Sequence, residues 1–390
     1  MRTSFELFYI VIAVITVVYA ALHYYIGLRG WQYLIGPLGF IPSKIYWSFF
    51  GLIAGSYIFA RFAENFLPHS LNVGLTWIGS YWMATFFYLL LILLIVEIVR
   101  ISIRLFKFQD VSILQTPNLS QYLAYGIVLF VLVIMSYGTW NAWSPRVVPY
   151  DVEINKASGS LDQIKVAMVS DIHLGITVGP VHLEKLVRLM EEMRPDLILL
   201  VGDTIDNSIT PLENDEIVEF LGRLEAPYGV YGVVGNHEHY SGEVDKFVSL
   251  MESSGITILR DSHVKIKDAF YLVGREDYAV TQVEGLPRKK VEEVLADIDH
   301  SLPILVMDHQ PRNFAEAEAA GVDLLLSGHS HRGQLFPLNF ITSKIYEQDW
   351  GYLKKDRLQV LVSSGFSPWG PPVRLGSRSE IVEINIKFKK

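Results

Sequence analysis

Four long apolar stretches in the first 145 residues constrain this 390-residue chain more than any other feature. A helix needs ~20 residues to cross the hydrocarbon core of a bilayer, and the four stretches reach or approach that length. They run over residues 5–28, 45–60, 77–99 and 122–143. The second is the shortest and contains Gly51 and Gly55. We therefore predict that residues 1–143 form a membrane anchor of about four transmembrane helices.

The polar residues of this region favour an anchor over a transport pathway. Aromatic side chains that suit a membrane–water interface gather near the ends of the stretches: Trp77, Tyr81, Trp82, Trp140 and Trp143. The acidic residues Glu6 and Glu97 also lie near ends. No charge lies deep within an apolar run, whereas an ion or proton pathway depends on such groups. The first stretch is longer than the apolar region of a secretory signal peptide, and we interpret it as a retained helix.

The basic residues between the stretches predict the orientation of the anchor. With four crossings, the first and third loops lie on one side and both termini lie on the other. The first and third loops contain five basic residues: Arg29, Lys44, Arg100, Arg104 and Lys107. The opposite side contains four: Arg2, Arg61, Arg146 and Lys156. Because cytoplasmic loops carry the excess of Lys and Arg, we expect a multi-pass protein of the plasma (inner) membrane with an extracytoplasmic C-terminal domain.

Charge and cysteine content narrow the function of the remaining residues. The net charge of −8 argues against a nucleic-acid partner, because neutralising phosphates requires clustered Lys and Arg. The chain has no Cys, so it contains neither a disulfide nor a cysteine-based zinc site. Any metal ion must therefore be bound by His, Asp, Glu or Asn.

After a linker at residues 144–160, the pattern changes to that of a folded α/β domain over residues 161–390. Short apolar runs predict buried strands at residues 164–170, 197–201, 230–234, 304–307 and 322–326. Between them, apolar residues at helical spacing predict helices near residues 181–193 and 216–224. This alternation predicts an α/β fold with a largely buried central sheet.

Polar side chains follow each of the five predicted strands. They are Asp171, His173, Asp203, Asn236, His237, His309, His329 and His331. In open α/β sheets ligands bind beyond the carboxyl ends of the strands, so we expect these residues to converge. Imidazole, carboxylate and amide oxygen are ligands of Mn, Fe and Zn. The number of ligands exceeds what one tetrahedral ion requires, and two ions sharing a carboxylate are the usual device for phosphoryl hydrolysis.

Five sequence blocks in this order resemble those of the calcineurin-like metallophosphoesterase superfamily. The blocks are Asp171-Ile-His173, Gly202-Asp203, Gly235-Asn236-His237-Glu238, His309 and Gly328-His329-Ser330-His331. The resemblance covers roughly residues 160–386. The chain is most similar to the branch with N-terminal transmembrane helices, because of its Gly-His-Ser-His-Arg-Gly-Gln segment and the stretch at residues 371–376.

The resemblance implies a two-sheet sandwich flanked by helices, with the site at one edge. It implies two divalent ions (Mn, Fe or Zn), and it assigns Asp171, His173 and His331 to one ion, Asn236, His309 and His329 to the other, and Asp203 to both. His237 would act on the phosphate as the catalytic residue, and Glu238 would orient His237. The implied activity is hydrolysis of a phosphate mono- or diester by a metal-bridging hydroxide.

Other residues admit a functional and a structural interpretation. Arg332 and Arg275 are candidates for contact with substrate phosphate, or else ordinary loop charges. The remaining histidines, at positions 182, 239, 263 and 300, are interpreted as structural. The apolar segment at residues 335–346 is either a core strand and loop or an apolar lip that admits a lipid.

The anchor and this segment make a phospholipid or a lipid-linked phosphate an attractive substrate. The alternative function is a non-catalytic membrane sensor that binds a ligand at the metal site, and it is disfavoured because all the ligand positions are filled. A transporter with a regulatory phosphoesterase domain is disfavoured by the absence of deep charges.

Overall fold

The structure is a computed structural model that describes residues 2–64, 66–106, 118–159 and 161–389, with residues 2–8 described by their backbone alone. Lys107 and the side chains of Arg2 and Glu6, on which the predicted anchor and its orientation depend, lie outside what is described. The described chain divides into two compact units, residues 1–137 and 138–390.

The first unit contains the apolar helices. They are α1 (Arg2–Gly30), α2 (Ser43–Phe62), α3 (His69–Leu105) and α4 (Leu119–Trp143), of which the last six residues belong to the second unit. A π-helical turn (Trp31–Ile35) and a 3-10 turn (Gly36–Leu38) follow α1. All four helices are long and apolar enough to cross a membrane. The prediction of four apolar helices is confirmed, and the interrupted second stretch forms a continuous helix of 20 residues.

Helices α2 and α3 pack closely, and the polar groups near the helix ends are paired. A Cβ added to Gly79 would lie 2.4 Å from the backbone nitrogen of Tyr57, so the absence of a side chain permits the close approach. Glu97 accepts hydrogen bonds from Arg29 and Arg100 at 2.7 and 2.8 Å. Pairing of this kind stabilises a carboxylate in apolar surroundings.

The second unit contains twelve strands and seven helices in the part of the chain that the structure describes. The strands are β1 (Arg146–Ile154), β2 (Gln163–Val169), β3 (Leu197–Val201), β4 (Val230–Val233), β5 (Thr257–Ile258), β6 (Ser262–Ile266), β7 (Phe270–Gly274), β8 (Ile304–Met307), β9 (Leu324–Ser327), β10 (Gly351–Lys355), β11 (Leu358–Val362) and β12 (Glu380–Phe388). The helices are α5 (Pro180–Met193), α6 (Asp215–Gly222), α7 (Asn236–Tyr240), α8 (Val244–Ser253), α9 (Val291–Val294), α10 (Phe314–Ala319) and α11 (Asn339–Ile345). Short 3-10 or π-helical turns lie at Thr210–Glu213, Val280–Glu284 and His331–Gly333.

The strands form two six-stranded sheets, in the orders β1-β12-β2-β3-β4-β5 and β10-β11-β9-β8-β7-β6. In the first, β2 to β5 are parallel, and in the second β7, β8, β9 and β11 are parallel. Alternate residues of β3 explain the layering, since successive side chains of a strand point to opposite faces. Leu199 packs in the core between the sheets, whereas Leu200 packs beneath the outer helices. The two-sheet sandwich flanked by helices is confirmed.

Residues 146–154, which we had placed in the linker, form edge strand β1. It pairs in parallel with β12 from Arg146 opposite Glu380 to Ile154 opposite Phe388. Val152 and Ile154 are buried and alternate with exposed acidic residues, as in a strand with one face on the core. Pro149 is compatible with an edge, where one ladder hydrogen bond can be missing.

Candidate metal centre

Five strand ends bring seven of the eight predicted side chains together at one edge of the sandwich, and the eighth, Asn236, follows one of these strands. β2, β3 and β4 of the first sheet and β8 and β9 of the second end there. Among the described residues, three groups have ligand atoms within 4.8 Å of one another: Asp171, His173 and His331; His173, Asp203 and His237; and Asp203, His309 and His329. His173 and Asp203 each belong to two groups, so the three groups form one continuous cluster.

The shortest distances in this cluster join groups from different strands. Nε2 of His173 lies 3.1 Å from Nε2 of His331, and Asp171 Oδ1 lies 3.3 Å from the same His331 nitrogen. Nε2 of His309 lies 2.9 Å from Oδ2 of Asp203. The backbone N–H of His237 donates to Asp203 Oδ1 at 3.0 Å. Asp203 therefore lies close both to His309 and to the backbone of His237.

Three glycines allow the loops to approach this closely. A Cβ at Gly235 would lie 2.2 Å from Asp203 Oδ1, and one at Gly328 would lie 2.4 Å from Asp171 Oδ2. At Gly202 the added atom would meet the His309 ring at 2.5 Å. Of the three, Gly202 alone has a positive φ, of 77°. The positive φ therefore explains glycine at position 202, whereas lack of space for a side chain explains the other two.

Backbone strain is concentrated in the same loops. The described residues with positive φ include five of the eight: Asp171 (56°), His173 (51°), Asp203 (52°), His329 (67°) and His331 (47°). This conformation costs a non-glycine residue ~1–2 kcal/mol. Strain of this kind persists where the surrounding structure over-determines the backbone, as at functional sites.

Most of the cluster is held in the protonation states that bind cations. Burial and the nearby charge of His237 lower the pKa of His173 to about 3, and burial and His309 lower the pKa of His329 to about 3. Burial alone would raise the pKa of Asp203, but His309 and His237 hold it well below its usual value. Among the predicted metal ligands His309 is the exception, because Asp203 outweighs burial and raises its pKa. Metal ligands must be deprotonated, so neutral imidazoles and ionised carboxylates suit an ion.

The donor atoms also fit a divalent ion. Asn236 Oδ1 is buried and has no hydrogen-bond partner among the described residues. Two ring nitrogens 3.1 Å apart, as in His173 and His331, require a shared proton or a shared cation. Imidazole, carboxylate and amide oxygen together match the preferences of Mn, Fe and Zn.

Asp206, rather than Glu238, faces the imidazole of His237. Asp206 Oδ1 lies 3.3 Å from His237 Nδ1. Burial alone would lower the pKa of His237, but Asp203 and Asp206 raise it. The carboxylate of Glu238 instead accepts hydrogen bonds from the backbone N–H groups of Asp203, Ile205 and Gly235.

The length of the Glu238 side chain explains this difference from our expectation. It lies in the first turn of α7 and reaches back to the N–H of Gly235, as in a capping box. It thereby ties the loop after β3 to the loop after β4. Burial and the charge of Asp203 raise the pKa of Glu238 to about 7, against the lowering effect of the backbone N–H groups.

Sequence reasoning did not identify two residues at this site, Asp206 and Arg374. Asp206 lies three positions after Asp203 in the same loop, which was the available signal. Arg374 is fully buried, and its Nη2 donates to His331 Nδ1 at 2.9 Å. It is distant in sequence from His331, so only the fold reveals the contact.

Arg332 and Arg275, the two candidates for contact with substrate phosphate, contact other side chains of the protein. The guanidinium of Arg332 stacks 4.1 Å above the ring of Trp350. Arg275 is buried and paired with Asp261 at 3.2 Å. The three groups of possible ligands include none of the histidines that we interpreted as structural: His182, His239, His263 and His300.

Comparison with known proteins decides the family. The sequence model described as "Calcineurin-like phosphoesterase" matches residues 164–333. An uncharacterized metallophosphoesterase of Aquifex aeolicus is 31% identical over 264 residues, which cover 67% of this chain and 99% of that protein. The chain belongs to the calcineurin-like metallophosphoesterase family.

Relatives within the family include proteins named for a membrane region. A "Transmembrane protein with metallophosphoesterase domain" of Danio rerio is 32% identical over 274 residues, or 67% of this chain. The protein of the same name from Bos taurus is also 32% identical over 274 residues, or 66% of this chain. The chain spans 62% and 61% of the lengths of these two relatives. The family, inferred from the five blocks, is confirmed, and so is the transmembrane branch, inferred from the Gly-His-Ser-His-Arg-Gly-Gln segment and residues 371–376.

Proposed function

We propose that this chain is a membrane-anchored dimetal phosphoesterase that hydrolyses a phosphate mono- or diester of a lipid or lipid-linked substrate. The observation that carries the proposal is the single, largely buried cluster in which Asp203 belongs to two groups of possible ligands. Membership of the family supports metal-dependent phosphoester chemistry; the two-ion assignment and the substrate are the further parts of the proposal.

The ligand assignment is the one that the family resemblance implies, and it is supported by the grouping of Asp171 with His173 and His331 and of Asp203 with His309 and His329. Asp171, His173 and His331 would hold one ion, Asn236, His309 and His329 the other, and Asp203 would contact both. Two ions so held would polarise the phosphoryl oxygens and lower the pKa of a bound water.

His237 is the residue that acts on the substrate. Its backbone N–H is fixed on Asp203 at 3.0 Å, and its ring lies beside Asp206. A ring held in this position donates a proton to the leaving oxygen, a contribution of ~10²–10⁴-fold to the rate. Trp369 and Tyr240 flank the ring, with centroids 5.9 and 5.7 Å away.

Exposed apolar side chains near the site support a lipid substrate. We call them the apolar rim: Phe336, Phe340, Ile341, Ile345 and Trp369, of which 49%, 61%, 54%, 65% and 52% is exposed. Phe336 and Phe340 contact each other edge to face at 5.7 Å. Contiguous exposed apolar groups mark binding surfaces. On a chain with four membrane-spanning candidates, acyl chains are the partner that this surface fits.

Hydrolysis by the full-length chain in detergent tests the proposal. After chelation, Mn or Zn should restore turnover of a chromogenic phosphomonoester or phosphodiester, and Asp203→Asn should abolish it. Comparison of a phospholipid with its deacylated headgroup ester then tests the lipid preference. Turnover that chelation leaves unchanged would contradict the proposal.

The extracytoplasmic placement of the domain is proposed on the charge distribution of the loops. Because the chain has no Cys, a single introduced thiol is a unique label. Ser253→Cys adds one at an exposed position at the end of α8. A membrane-impermeant maleimide should label this variant in intact spheroplasts; labelling only after lysis would place the domain in the cytoplasm.

A further inference from the structure

The C-terminal end of helix α4 is built into the second unit. The carbonyl oxygen of Ala142 accepts a hydrogen bond from Ser379 Oγ at 2.6 Å, and that of Trp143 accepts one from Lys185 Nζ at 3.1 Å. Asn141 and Ala142 are buried. These residues are therefore part of the folded domain rather than a flexible tether.

Several of the contacts from this helix end converge on Arg374. The backbone N–H of Arg374 donates to the carbonyl oxygen of Gly138 at 3.0 Å. The side-chain amide of Asn141 donates to the carbonyl oxygens of Arg374 and Ser377 at 3.0 and 2.7 Å. A Cβ at Gly138 would lie 2.5 Å from Val373 Cγ1, so the close approach requires glycine. The backbone of Arg374 is thus held from both its N–H and its carbonyl group.

The side chain of Arg374 extends from this fixed backbone to His331. Its guanidinium is fully buried and donates to His331 Nδ1 at 2.9 Å and to the carbonyl oxygens of Ser364 and Ser367. Among the described residues it forms no ion pair within 4.0 Å, and Asp171 and Glu380 attract its charge over longer distances. A buried cation with such partners has a high desolvation cost, which a purely apolar side chain would avoid.

We infer that Arg374 is a positioning residue through which the end of helix α4 fixes the His331 ring, so that Nε2 faces Asp171 and His173. This inference rests on the proposed metal centre. Partners that orient a metal-bound histidine commonly change metal affinity by ~10–100-fold when they are lost. Loosening the helix end should therefore lower the affinity for the ion that His331 binds and leave the affinity for the other ion unchanged.

The test is metal binding by the full-length chain in detergent, with substitutions on both sides of the contact. Asn141→Leu removes both amide hydrogen bonds at similar volume, and Arg374→Met removes the guanidinium. Lys185→Met is the matched control, because it removes a different hydrogen bond from the same helix end. The readouts are ions per chain and the affinity of each ion for Mn by chelator competition.

Asn141→Leu and Arg374→Met are both expected to lower the affinity for one ion by about tenfold or more. The affinity for the second ion, and both affinities in the control, should not change. If Arg374→Met does not fold, Asn141→Leu alone decides. Unchanged affinities together with a lower melting temperature would overturn the inference, as would equal weakening in Lys185→Met. Because the readout is binding, a wild-type chain that binds two ions without hydrolysis would refute the proposed function and leave this inference standing.

Discussion

At the scale of single residues, the site depends on glycines, which have no Cβ, as much as on the ligands. Gly235 has an ordinary φ of −110°, yet a Cβ there would lie 2.2 Å from Asp203 Oδ1 and 2.6 Å from the Asp203 nitrogen. Backbone cannot yield as a flexible side chain does. Asp203 must therefore move if Gly235 gains a side chain.

Gly235→Ala is expected to lower metal affinity and turnover by at least about tenfold, because Asp203 belongs to two of the groups of possible ligands. The matched control is Gly222→Ala, where an added Cβ meets nothing within 4 Å. Calorimetric titration with Mn and an esterase assay on both variants provide the measurement. Equal metal affinity in the two variants would contradict the steric account.

The buried side chain of His182 should make the stability of the fold depend on pH. Its ring lies between Trp143 and Phe366, with centroids 4.8 and 4.6 Å away. Burial and the nearby Lys185 lower its pKa from 6.5 to about 4. The folded state therefore excludes a proton that the unfolded chain binds.

The sign follows from which state binds the proton. Above pH 6.5, His182 is neutral in both states and the folded chain has its full stability. As pH falls from 6.5 to about 4, this residue alone lowers the free energy of unfolding by up to ~3 kcal/mol. The melting temperature of His182→Leu should therefore fall less between pH 7 and pH 4.5 than that of the wild type. The exposed His300→Gln is the control, and equal losses in all three proteins would disprove the assignment.

At the scale of elements, the sequence predicts those that a local pattern of apolar and polar residues identifies. Strands β3 and β8 match the predicted bounds because a buried run ends at a polar turn in each. β1 was missed because an edge strand containing Pro and acidic residues resembles a linker. Asp206 and Arg374 were missed for a related reason: their roles depend on contacts between distant segments, which no local pattern encodes.

The apolar rim gives a prediction at the same scale. Helix α11 carries Phe340 and Ile345, both mostly exposed. Moving one such side chain from water to apolar surroundings contributes ~1.5–3 kcal/mol. Phe340→Ser combined with Ile345→Ser should thus reduce hydrolysis of a phospholipid in liposomes by about tenfold or more.

The same double variant should hydrolyse a soluble chromogenic ester at the wild-type rate. Val181→Ser provides the control, since Val181 is 73% exposed on a different helix, α5. Equal loss on lipid and soluble substrates would mean that the rim supports the fold of the site rather than lipid binding.

At the scale of the whole molecule, the chain joins a family-defining domain to a region of four apolar helices. The order of the five blocks sufficed to predict the family, because each block is fixed at a strand end. The predicted side of the membrane depends on a difference of one basic residue, five against four. The substrate depends on surfaces such as the apolar rim, whose exposure only the folded chain reveals.

The most direct test of the dimetal account is a single titration of the His237→Ala variant. Full-length wild-type and variant chains, stripped of metal, would be titrated with Mn while bound ions and turnover are measured in the same samples. The account predicts two ions per chain in both proteins and a loss of turnover of ~10²–10⁴-fold in the variant. Undiminished turnover in His237→Ala, or loss of an ion from it, would contradict the assignment of His237 as the catalytic residue beside two separately held metals.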